Sequence, residues 1–63
     1  MPSLGAFMVA YAWKYGCTVE QAKRAYDEYI RRGMKQAMFA IIREYQEKAW
    51  ADAAYKPIKR EGN

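Results

Sequence analysis

The chain has 63 residues, which is room for one domain. It is 52% hydrophobic and carries two Trp, six Tyr and two Phe, too apolar for a disordered tail. It has no His and one Cys, so His-based acid–base chemistry, His-ligated metals, an intrachain disulfide and a Cys cluster for zinc are all excluded. No catalytic residue and no cofactor site is expected.

The formal net charge is +4. The last stretch, from Lys56 to Asn63, holds Lys56, Lys59 and Arg60 against Glu61, so half of the excess sits there. The rest of the chain is only mildly basic, unlike a dedicated nucleic-acid surface. The apolar run over residues 4–13 has no basic residues before it and is half the length needed to cross a bilayer. A soluble, cytoplasmic protein without a membrane span is expected.

A chain of this size is marginal. Folding buries roughly 6,000–6,500 Å², which supplies about 95 kcal/mol if about 60% of it is apolar. Ordering the chain costs about the same, at ~1.5 kcal/mol per residue. A partner subunit is the common remedy where disulfides and metals are missing. The expected architecture is therefore all-α, a helical homodimer of three-helix chains. One domain spans residues 1–55, and a short basic tail spans residues 56–63.

The first helix is expected from Ser3 to Tyr15. Ser3 is the N-terminal cap and Gly16 the stop. Lys14 is its only charge, and apolar groups surround its axis. Such a helix is covered on most sides. The second helix has clear punctuation. Thr18 and Gln21 have capping-box spacing, Glu20 lies in the first turn, Arg31 and Arg32 lie in the last, and Gly33 closes it. Val19, Ala22, Tyr26, Tyr29 and Ile30 form its apolar stripe. Glu20–Arg24, Asp27–Arg31 and Glu28–Arg32 have the favoured i,i+4 order for ion pairs. The third helix is expected from Met34 to Tyr55, ended by Pro57. Its main stripe runs Met34, Ala37, Met38, Ile41, Ile42, Tyr45, Ala49 and Ala53. Phe39 and Trp50 lie to one side, about 20° apart at ~100° per residue. Gly33 is read as a turn between helices rather than a kink.

The stretch from Trp13 to Ala22 has the spacing of a helix–turn–helix junction. In that reading Gln21, Lys23 and Arg24 meet the major groove, with Lys59 and Arg60 in support. Glu20, Asp27 and Glu28 oppose it, because they would face phosphates. The same stretch resembles the ubiquitin-associated domain through Tyr15, Gly16 and Cys17 and then Glu20, Gln21, Ala22, Ala25 and Tyr26. That family is a three-helix module. Cys17 replaces its usual bulky aromatic and the third helix is twice its length, so ubiquitin binding is not carried over.

Aromatic residues exceed what so small a core needs, and Trp and Tyr dominate binding hot spots. Trp13, Phe39 and Trp50, ringed by Arg31, Arg32 and Arg43, are the expected partner surface. Leu4, Phe7, Met8, Tyr11, Met38, Ile41, Ile42 and Tyr45 are the expected core shared between two chains. The function expected is non-catalytic binding that modulates or inhibits another protein. In style the chain resembles the small accessory proteins with which bacteriophages act on host proteins. A helix-turn-helix DNA-binding protein is the alternative.

Overall fold

The computed structural model describes residues 1–55. These residues form three helices and no strand: α1 (Leu4–Tyr15), α2 (Val19–Arg31) and α3 (Lys35–Tyr55). The basic tail expected over residues 56–63 lies outside the described residues.

Local chemistry sets each boundary. At α1, Ser3 Oγ accepts the Ala6 N–H at 3.4 Å. Gly16 ends the helix with φ 64°, and its N–H reaches the Ala12 carbonyl at 2.8 Å. At α2, the capping box is complete. Thr18 Oγ1 accepts the Gln21 N–H at 3.1 Å and Gln21 Oε1 accepts the Thr18 N–H at 3.0 Å. At its far end, the Met34 N–H bonds to the Tyr29 carbonyl and the Gly33 N–H to the Ile30 carbonyl, at 2.9 and 3.0 Å. That pair of bonds is a Schellman motif, and it needs the φ of 69° that Gly33 adopts. Gly33 is thus a turn. A Cβ at Gly16 or Gly33 would meet nothing within 4 Å, so the glycines are required by backbone conformation rather than by space.

The helix α1 lies in the middle. It packs on α2 along one side and on α3 along another, whereas α2 and α3 touch each other much less. This covers two sides of an apolar helix, while Val9 and Trp13 on the remaining side stay 49% and 41% exposed. Phe7 is fully buried, with the rings of Tyr11, Tyr26 and Tyr29 at centroid distances of 5.3, 5.7 and 5.5 Å. Ala10, Met38, Ile41 and Ile42 complete the buried cluster. The expectation placed Phe7, Met38, Ile41 and Ile42 between two chains; here one chain buries them by itself. Leu4, Met8, Tyr11 and Tyr45 are half-buried around them.

Two polar links bind the helices across the bundle. The Tyr26 hydroxyl donates to the Pro2 carbonyl at 2.8 Å and holds the N-terminus against α2. Lys14 Nζ meets Glu44 Oε1 at 2.6 Å and joins the end of α1 to α3. The hydrogen bond from Lys14 to Glu44 raises the lysine's pKa above its ordinary value. Burial, reinforced by the neighbouring Tyr29, raises that of the Tyr11 phenol.

Two outcomes follow for stability. Phe7→Ala removes the ring that three tyrosines enclose, at a cost of about 3–5 kcal/mol. A domain of this length has only about 3–9 kcal/mol in total. Thermal melting followed by circular dichroism should find the midpoint of that variant lowered by at least about 12 °C. For pH, a lysine whose folded pKa is raised stabilises below its unfolded pKa and loses that contribution as pH rises through the folded one. A tyrosine with a raised folded pKa opposes folding once the unfolded chain ionises. Both signs agree. The thermal midpoint should be flat across neutral pH and fall above about pH 10. Tyr11→Phe should make that fall shallower.

Candidate protein-binding surface

Unequal helix lengths leave the end of α3 uncovered. With 12, 13 and 21 residues, α1, α2 and α3 are about 18, 20 and 31 Å long. The two shorter helices cover α3 only as far as Tyr45. From Gln46 to Ala53 every residue of α3 is exposed. The Lys48–Asp52 pair, at 2.9 Å, supports this uncovered part along its own surface.

The outer face of α3 carries Phe39, Arg43 and Trp50. At ~100° per residue they lie within about 40° of one another. Phe39 is 50% and Trp50 65% exposed. A shallow hollow of about 310 Å³ opens there between Gln36, Phe39, Ala40 and Arg43. A second hollow, of about 340 Å³, lies where α1 meets α3, between Gly5, Ala6, Val9, Ile42, Tyr45 and Gln46.

The structure divides the six residues grouped by the sequence. Phe39, Arg43 and Trp50 come together. Trp13 does not join them: it packs edge-on against Tyr45 at 5.6 Å. Arg31 and Arg32, at the end of α2, both bond to Glu28, at 3.4 and 2.7 Å.

The charges on α2 pair differently from the expectation. Glu28–Arg32 forms as expected. Asp27 takes Lys23 at 3.4 Å instead of Arg31, and Glu20–Arg24 does not form an ion pair. The alternative nucleic-acid face is affected directly. The Gln21 side chain is used in the cap and Lys23 faces a carboxylate, while Arg24 has no ion-pair partner among the described residues. Lys59 and Arg60 lie outside the described residues. Cys17 is half-buried in the turn between α1 and α2.

The sequence reading left Glu47 out of the expected partner surface. Glu44 is held by Lys14, but Glu47 and Arg43 form no ion pair and no side-chain hydrogen bond among the described residues. They are four apart with the base first, the poorer order for a pair within a helix.

No protein-family model matches this chain, and no curated protein or solved structure matches it. Among the described residues, no helix is long and apolar enough to cross a membrane.

Proposed function

We propose that this chain is a non-catalytic protein-binding module that works as a homodimer and modulates or inhibits another protein. The observation that carries the reading is the outer face of α3, where Trp50 and Phe39 stand 65% and 50% exposed on a rigid helix. Water-exposed indole and phenyl rings are costly to leave uncovered, and Trp is the residue most enriched at binding hot spots. A helix fixes their spacing before binding, so little ordering entropy is lost on contact. Arg43 on one flank of that face adds a charged donor that specifies orientation. Trp13, packed on Tyr45, and the Glu28-paired Arg31 and Arg32 lie apart from that face. A small accessory protein of this kind acts by covering a site on its target.

The test is capture of binding proteins from source-cell lysate with wild type beside Phe39→Ala and Trp50→Ala. Both substitutions remove exposed rings and should leave stability in dilute solution within about 0.5 kcal/mol of wild type. Each should lose the captured protein. Retention of every captured protein by both variants overturns the proposed face. Salt-sensitive binding to duplex DNA at nanomolar concentration would overturn the reading as a whole.

A further inference from the structure

The outer face of α3 is complementary to itself, and we propose that its occupant is a second copy of this chain, with the two α3 helices paired antiparallel about a twofold axis between Glu44 and Tyr45. This rests on the protein-binding reading above and names the occupant of that face in the free protein, a second copy that the modulated protein would have to displace.

The hollow supplies the first part of the argument. Its four lining residues, Gln36, Phe39, Ala40 and Arg43, sit at positions i, i+3, i+4 and i+7 of one helix. That is the four-residue hole into which a knob from a facing helix fits. In antiparallel pairing about the stated axis, residue 39 of one chain lies level with residue 50 of the other. Trp50 of each chain therefore arrives at the hollow of its partner and stacks beside Phe39. The hollow is shallow, so the indole lies across it between the four side chains. The operation is isologous, so both hollows and both tryptophans are used at once.

Charge supplies the second part. The same register brings Arg43 of one chain level with residues 46 and 47 of the other. Arg43 and Glu47 lie on one flank of the face, about 40° apart at ~100° per residue. A twofold axis perpendicular to the helices keeps that flank on the same side in both chains. Arg43 of each chain thus meets Glu47 of the other, giving two reciprocal ion pairs. These two groups are also left without an ion-pair partner among the described residues of their own chain. A parallel arrangement would place Trp50 against Trp50 and Arg43 against Arg43, leaving the hollow empty and like charges opposed.

Area sets the strength. Phe39 and Trp50 together leave roughly 250 Å² of ring surface exposed per chain. With their neighbours on the face this makes an interface at the low end of the specific range, so micromolar dissociation is expected.

The experiment is sedimentation velocity on the full chain from about 1 to 500 μM. Wild type should pass from monomer to dimer in that range. Trp50→Ala should weaken association by at least about 30-fold. Arg43→Glu and Glu47→Arg should each weaken it about tenfold, because each sets like charges against each other twice. Mixing these two charge variants in equal amounts should restore the dimer, since every facing pair is then opposite in sign. The double variant R43E/E47R should also dimerise by itself. This restoration separates lost pairing from lost folding.

Wild type that stays monomeric at 500 μM overturns the proposal. A mixture that stays monomeric overturns the antiparallel register. If wild type is monomeric while Trp50→Ala still loses a captured protein, the self-pairing fails and the protein-binding face stands. If the dimer and its restoration are seen but no other protein is captured, the self-pairing stands and the modulatory reading fails.

Discussion

Everything in this small bundle depends on the enclosure of one ring. Phe7 sits on the middle helix, and tyrosines from α1 and α2 close round it at 5.3 to 5.7 Å. On its other side Met38, Ile41 and Ile42 arrive from α3. Tyrosine suits this position because it offers a large apolar ring with a polar end. Tyr26 uses that end to bond the Pro2 carbonyl, so one side chain contributes to the core and also ties down the N-terminus. A chain this short has no second core to fall back on.

The central place of α1 has a consequence at the other end of the molecule. Two short helices packed on each other cannot cover a third that is half as long again. The inner stripe of α3 is used up by Tyr45, and the rest projects with its own apolar residues uncovered. The exposed Trp50 is therefore not a fault in core packing. Like Phe39, it stands on the side of α3 turned away from the buried stripe, on a helix that runs past its supports, and it gives the molecule a stiff ridge where recognition is possible.

Electrostatics then distinguishes the surfaces. On α2 most charges are neutralised within the helix, with Glu28 serving both Arg31 and Arg32 and Asp27 serving Lys23. Such exposed pairs stabilise little, but they reduce the positive field that a nucleic acid would require. On α3 one carboxylate, Glu44, is taken by Lys14 of α1. Glu47 and Arg43, one turn apart on the other flank, face outward beside the exposed aromatics. The molecule thus presents a paired, screened side and an unpaired, aromatic side.

The sequence by itself determined the three helices, their caps and their glycine stops. These depend on residues within four positions of one another: Ser3 with Ala6, Thr18 with Gln21, and Gly33 with the last turn of α2. It also determined that helix 1 must be covered on more than one side, since its apolar residues surround the axis. Only the tertiary structure decided what covers it. Phe7, Met38, Ile41 and Ile42 read equally well as a core within one chain or between two, because periodicity identifies a buried face but not its neighbour. The same limit separated Trp13 from Phe39 and Trp50: Tyr45, distant in sequence, draws Trp13 to the bundle. It also selected Lys14 for Glu44, leaving Glu47 without a partner among the described residues. Local interactions are fixed by spacing along the chain, whereas the choice of which face and which charge remain open depends on distances that exist only after the helices have packed.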